Sequence, residues 1–477
     1  MFARLKAFFS TPGTGFRAPQ RVFWIALAVR LLYITLAHTY RVRVILDHFQ
    51  FGWEAGRIAR AVATGHGYAD PFLGPSGPTT WIPPLFPLLL AGVFKLFGVY
   101  TALSAWMILA IDSVFSAATA LAVYEIAARC YDLRNRAIPT GARSYPIALW
   151  SAWLWALYPA AIQYSVHWIW DMSITTFLFA WSLVVALRVR GVGEDADNPA
   201  NQTTRRWAVF GLLWGLIALS NPSLLIFLPA CGLWMIWGTI SGMRLTLPAL
   251  SRITARALLA ALLVAACLAP WIWRNWRTFH TFIPTRGNLG AELYQSTLEQ
   301  NNGFPWGPTL PLAVDAPEFV RYKTLGEVAY VKEKNDAAKI AIRQHPRRIF
   351  DWTLKRVYFF WASVPHPFEK HPSIEVVREM DFSILSITGI LGLLLSLKRR
   401  IPGSWLFAFA FLLIPLLYYF VTVQARFRHP IEPLITIFTV FLFRSAEPRK
   451  GPHKDPRMKT PAETSAKTEP AIQTARA

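Results

Sequence analysis

The chain has 477 residues, 54% of them hydrophobic, 14% aromatic and only 16% charged, which excludes an ordinary soluble globular protein. The formal net charge is +22; in a soluble chain it would suggest nucleic acid. Here Lys and Arg crowd the short connections between apolar runs, where they set topology, so no nucleic-acid partner is expected. The cysteines, Cys130, Cys231 and Cys267, lie at or within apolar runs without metal-like spacing, so no disulfide framework is implied.

In chain order, residues 1–21 form a basic leader (Arg4, Lys6, Arg17, Arg21) before a first crossing, FWIALAVRLLYITLAHTY. The leader predicts an inside start, and the lack of a small-residue cleavage site argues against a removed signal peptide. Further apolar runs fall at 85–97, 101–128, 145–163, 170–189, 207–220, 222–240, 255–273, 382–397, 404–423 and 430–444. They are continuous rather than alternating, which predicts helices spanning a core of about 30 Å and not a barrel. Basic connections at 129–144, 188–206, 241–256, 398–400 and after Arg444 all fall inside, provided the short, Pro-preceded run at 85–97 lies at the interface. The alternative is an intact crossing there, with another boundary misread.

The predicted architecture is therefore an all-α polytopic membrane bundle of about 10–11 transmembrane helices, multi-pass in the cell's inner (plasma) membrane. Its transmembrane domain covers 22–444, with outer loops at 41–84 and 275–381, and a disordered inner tail follows at 445–477. In the second outer loop, one helical stretch runs from Gly326 to Trp361, and its end, Arg356 to Trp361, is predicted to lie in the membrane interface.

Chemistry-bearing residues gather at predicted outer ends. In the first outer loop Asp47 and Glu54 are seven residues apart, two helical turns, so a helix through DHFQFGWEAGRIARAVATG would put both on one face. Arg57 follows Glu54 by three. A carboxylate beside a fixed cation stays ionised and can take a proton from an acceptor; the bland alternative is a helix whose charges face water. Asp171 enters a span directly after HWIW, a depth that is costly without a partner or a task, although an acid at a helix N-terminus is also favoured by the dipole. Arg274, Asn275, Arg277, Arg286 and Asn288 leave the span ending near Trp273, and Arg426, Arg428 and His429 sit in VQARFRHPIEPL. Outer arginines run against the positive-inside rule and suit phosphate oxygens as ligands; snorkelling toward head groups is the alternative. Asp112 is a separate intramembrane acid expected to point into the bundle.

Several segments carry a resemblance: the first loop ending in ATGHGY, PPLFPLLLAGVFKLFG, YPAAIQYSVHWIWD, GLLWGLIALSNPSLL, APWIWRN and RFRHP. In order and topology the chain resembles the GT-C membrane glycosyltransferases, specifically the protein O-mannosyltransferase and aminoarabinose-transferase-like group, over roughly Phe23 to Arg444. The resemblance implies an inverting transfer from a polyprenyl-phosphate-linked sugar to a lipid, glycan or protein acceptor, with a first-loop acid activating the acceptor. Counting back from Gly65, the position where members carry that acid holds Gln50, flanked by Asp47 and Glu54. Glu54 is the first choice for the base, Asp47 the second, and Asp171 would assist the acceptor or a metal. The basic residue that some members place before the PPL run is replaced by Trp81 and Ile82. Phosphate binding then rests on Arg57, Arg274, Arg286 and Arg426 to His429, with Asn275 and Asn288 beside them. No organic cofactor is expected. A divalent ion shared by Asp47, Glu54 and Asp171 is left open, because the spacing does not diagnose one. The rival readings are a lipid-linked-sugar flippase or transporter, against which the lack of two-halves symmetry counts, and a non-catalytic relative that only binds the lipid-linked sugar.

Overall fold

The structure, a computed structural model, describes residues 18–42, 49–132, 146–193, 204–240, 247–299, 303, 316–365 and 372–446. The described residues are helical, with one isolated antiparallel bridge, Ala69 to Pro78. Five helices are long and apolar enough to cross a membrane: α1 (Ala18–Leu36), α4 (Ala102–Ala127), α7 (Met172–Val189), α10 (Leu247–Phe279) and α15 (Pro372–Lys398). Shorter apolar helices stand among them, including α3 (Leu85–Phe97), α5 (Pro146–Leu157) and α16 (Ser404–Phe420). Helix α3 has 13 residues, about 20 Å at ~1.5 Å per residue, short of a hydrocarbon core.

The apolar run at 145–163 is two helices, not one. Tyr158 is extended and Pro159 starts a new helix, α6 (Pro159–Val166), because proline cannot continue the preceding ladder. The break leaves carbonyls of α5 open. Arg30 of α1, fully buried, takes one: its Nη1 donates to the Ala156 oxygen at 3.0 Å while Nε donates to Ser165 Oγ at 3.1 Å.

Helix α1 packs on α4 and α4 on α7. Near its end α4 is tied to α7 by Glu125, which accepts from Arg129 at 2.8 Å and Arg188 at 2.6 Å. Helix α8 (Thr204–Ser220) lies along α10. Gly211 and Gly215, one turn apart, allow this approach, since a Cβ on Gly211 would sit 2.5 Å from the Ala260 carbonyl and one on Gly215 2.6 Å from Cys267. Helix α17 (Glu432–Ala446) closes the bundle against α5 and α15.

The helices α11 (Leu289–Thr297), α12 (Pro317–Leu325), α13 (Glu327–Gln344) and α14 (Pro346–Ala362) form an outer layer. The single helix expected from Gly326 to Trp361 is divided at His345, with Pro346 opening α14. In α14, Arg356 is buried and donates to the Ser296 carbonyl at 2.5 Å, while Phe360 and Trp361 pack on α16. Both flanking spans reach further into this layer than their apolar runs: α10 continues to Phe279 and α15 begins at Pro372.

Candidate active site

The first outer loop is organised by a tight turn. Residues 49–51 form a 3₁₀ turn, Gly52 (φ 87°) and Trp53 (φ 54°) reverse the chain, and α2 (Glu54–Ala63) then begins at Glu54. The continuous helix expected through Asp47 and Glu54 is therefore not present: two successive residues with positive φ break it. Asp47 lies outside the described residues. A Cβ on Gly52 would lie 2.5 Å from the Ile169 carbonyl, so only glycine lets this turn press against the irregular His167–Trp170 segment that leads into Asp171.

That close approach brings two carboxylates from distant sequence to one place. Asp171 is the residue preceding α7, and its Oδ2 accepts from Thr175 Oγ1 at 3.3 Å, which in turn shares a 2.7 Å hydrogen bond with Ser220. Arg426, in the 3₁₀ turn Ala425–Ile431, lies over the Trp170 ring with Cζ 4.0 Å from its centroid, and Trp168 stacks behind Trp170 at 4.7 Å. Arg426 lies within electrostatic reach of Glu54, Asp171 and Glu292, and Arg286 within reach of Asp171 and Glu292. Arg57 of α2 acts on Glu54. Glu54, Asp171, Arg286, Glu292 and Arg426 all keep partial exposure while set among buried neighbours, and this cluster of charged side chains is termed the chamber.

Three carboxylates thus face three guanidiniums. Burial pushes Glu54 above the usual carboxylate range, opposed by its own backbone hydrogen bond and by Arg57 and Arg426. Burial also raises Glu292, with Arg286 opposing and the neighbouring Glu54 adding to the rise. Burial lowers Arg426, and Asp171 and Glu54 oppose that. A carboxylate raised toward neutrality beside cations is suited to accept a proton and hand it on. Among the described residues, Nε of Arg426 and Oδ1 of Asn288 have no protein hydrogen-bond partner. Asn288 is buried and its Nδ2 donates to Glu292 Oε1 at 3.0 Å.

The other sequence candidates sit elsewhere. Arg274 donates to the Thr79 and Tyr68 carbonyls, each at 2.7 Å, and to Asn275 Oδ1 at 3.0 Å. Asn275 is buried and donates to the Ile283 carbonyl at 2.9 Å. Both hold loops rather than line the chamber. Arg428 and His429 are fully buried in a network around Glu432, with Arg428 also donating to Tyr158, Ser386 and two carbonyls. Asp112 is buried in α4 and lies within electrostatic reach of Asp171. Among the described residues no three His, Cys, Asp or Glu side chains form a metal-ligand group; the chamber's carboxylates alternate with arginines, a donor set that does not fit a divalent ion.

No family model matches the sequence, and no curated protein matches it. Solved structures do. The oligosaccharyltransferase of Archaeoglobus fulgidus in its apo form superposes with a TM-score of 0.51 at 14% identity, covering 90% of this chain and 50% of that one. The same enzyme in complex with Zn and sulfate gives 0.50 at 14% identity over 89% and 49%. The chain has the GT-C fold. It spans about half the length of the oligosaccharyltransferase it matches. ArnT from Cupriavidus metallidurans bound to undecaprenyl phosphate matches at TM-score 0.38 and 11% identity, over 88% of this chain and 77% of that one.

Within this GT-C bundle, residues that the sequence did not single out join the site. Glu292 stands one helical turn after Asn288, a spacing that could have flagged it. Tyr164 acts on Arg426, and Tyr418 lies within reach of Arg286 and Asp171. Both are aromatic residues in apolar runs, and nothing local distinguishes them from core.

Proposed function

We propose that the protein is an integral-membrane glycosyltransferase that moves a sugar from a polyprenyl-phosphate donor to a hydroxyl or amine acceptor on the outer, periplasmic face of the inner membrane. The observation that carries this reading is the chamber itself: a raised carboxylate, Glu54, faces Arg426, whose Nε has no protein partner. The GT-C fold and the sequence resemblance supply the donor class.

In the reaction, Glu54 takes the proton of the acceptor as its oxygen or nitrogen attacks the anomeric carbon from the face opposite the phosphate. The new bond to that carbon forms while the bond to the phosphate oxygen breaks, its electron pair leaving with the lipid phosphate. A single displacement inverts the anomeric centre. Arg286 and Arg426 hold the phosphate oxygens and stabilise the charge that develops on them. Asp171, steadied by Thr175, orients Arg426 and keeps it aimed at the leaving group. With three carboxylates against three guanidiniums the formal charges balance, and taking up the acceptor proton on Glu54 leaves positive charge in surplus for the departing phosphate.

The test is transfer of a radiolabelled sugar from a polyprenyl-phosphate donor by reconstituted protein. Turnover that falls about 10²–10⁴-fold in Glu54→Gln supports the assignment; full activity in that variant refutes Glu54 as base. Redistribution of label across the bilayer without transfer would mean a flippase instead.

A further inference from the structure

One carboxylate outside the chamber accepts more hydrogen bonds than any in it. Glu327, buried at the start of α13, accepts from Thr79 Oγ1 at 2.5 Å and Tyr322 OH at 2.7 Å on Oε2, and from the Thr80 N–H at 2.6 Å and Thr80 Oγ1 at 2.5 Å on Oε1. Four of the donors a carboxylate can accept are thereby supplied, three of them by one dipeptide 247 or 248 residues away. Surface charge needs no such arrangement, and a helix N-terminus favours the anion but does not call for these partners.

Thr79 and Thr80 belong to a hairpin closed by the Asp70 N–H to the Gly77 carbonyl at 3.0 Å and the Thr79 N–H to the Tyr68 carbonyl at 3.2 Å. This hairpin touches both halves of the chamber. On one side Arg57, three residues from Glu54, donates to the Pro71 carbonyl at 3.4 Å. On the other the Gly287 N–H donates to the Thr80 carbonyl at 3.1 Å, and Gly287 lies between Arg286 and Asn288. A Cβ on Gly287 would come within 2.6 Å of Thr80 Oγ1, so the two backbones are in direct contact. Apolar packing of Phe72, Trp81 and Tyr322 surrounds the joint and keeps water from competing with its hydrogen bonds.

We infer that Glu327 is a positioning residue: through Thr79 and Thr80 it fixes the hairpin that spaces Arg286 from Glu54, and so sets the distance between the phosphate-holding and proton-accepting halves of the site. The inference rests on the transferase reading for its kinetic arm alone. A carboxylate serving only stability would lower the amount of folded protein without discriminating between substrates or coupling to Arg286.

Two measurements test it on the full-length protein in nanodiscs. In amide hydrogen exchange, Glu327→Gln, which can no longer accept at both oxygens, is expected to raise exchange at residues 68–81 and 283–292 while leaving α4 and α7 protected. Unchanged exchange at 283–292 overturns the proposal whether or not the protein turns over. In steady-state transfer, Glu327→Gln is expected to raise the donor KM about tenfold with a smaller change in kcat, and to do so by less than about threefold when Arg286 is already Lys, since residues acting through one another are not additive. The full tenfold effect in the Arg286→Lys background overturns it. Thr80→Val, which keeps the Thr80 N–H but removes the hydroxyl, gives the same cycle should Glu327→Gln fail to fold. If Glu327→Gln raises exchange as expected but the wild-type protein transfers no sugar, the transferase reading is refuted and the joint stands.

Discussion

Arg426 and Arg428 are two residues apart in one 3₁₀ turn and have opposite surroundings. Arg428 has no exposed surface and donates to Glu432, Tyr158, Ser386 and the carbonyls of Trp361 and Phe382. Arg426 keeps partial exposure, lies on the Trp170 ring, and has an Nε without a protein partner. The first is a closed node that ties α17 to α5 and α15. The second is an open one. Buried charge by itself does not mark a site; the two arginines differ in exposure and in how many protein groups each one engages.

The sharpest way to break this contrast is to remove each arginine in turn. Arg428→Ala removes the guanidinium paired with buried Glu432 and should cost roughly 3–5 kcal/mol, read as loss of monodisperse protein in detergent. Arg426→Ala should keep the fold and lower transfer about 10²-fold; a variant that aggregates like Arg428→Ala would erase the distinction. Next in size, the turn that presents Glu54 to Asp171 is exposed by Gly52→Ala, which meets the Ile169 carbonyl at an unfavourable φ and should cost about 1–3 kcal/mol with a fall in kcat larger than the change in donor KM.

The chamber's acidity gives a subtler test. Because burial holds Glu54 above its ordinary 4.5, activity should fall as pH drops through that raised value, with the acid limb lying above 4.5. The same shift has a stability sign. A carboxylate raised in the folded state contributes stability that is present below its unfolded pKa and lost as pH rises through the folded one. Glu54→Gln should therefore match the wild type near pH 4 and exceed its Tm at pH 8, by roughly 1–2 °C, while transfer is lost. Equal Tm values at both pH values would contradict a chamber that holds Glu54 at a cost.

How much of this was legible beforehand varies with the range of the interaction. The helical membrane architecture followed from continuous apolar runs, which are local signals, whereas the GT-C resemblance rested on segments such as ATGHGY, APWIWRN and RFRHP taken in order. Span ends bearing Asp171, Arg286 and Arg426 were also readable, because charge beside an apolar run is conspicuous. The helix start at Glu54 was missed, since the positive φ of Gly52 and Trp53 and the close approach of Gly52 to the Ile169 carbonyl leave no mark in the periodicity. Periodicity placed Glu54 and Asp47 on one helix that does not exist. Arg274 looked like an anion ligand and instead holds the backbone of Tyr68 and Thr79, a contact across about two hundred residues that no spacing reveals. Glu327 carried no signal at all, because its meaning comes from Thr79 and Thr80.

One more consequence belongs to α10. Its 33 residues make a rod of about 50 Å at ~1.5 Å per residue, against a hydrocarbon core of about 30 Å. Near its outer end Arg274 grips the hairpin that separates the two halves of the chamber. A single element thus joins an apolar, membrane-length stretch at one end to the loops around Tyr68 and Thr79 at the other. Acyl-chain length then becomes a mechanical input: hydrophobic mismatch that tilts or lifts the rod also moves the hairpin. In the proposed transferase the donor is itself a lipid, and the bilayer would then act both as the reservoir of substrate and as the gauge that sets the geometry in which the substrate is used.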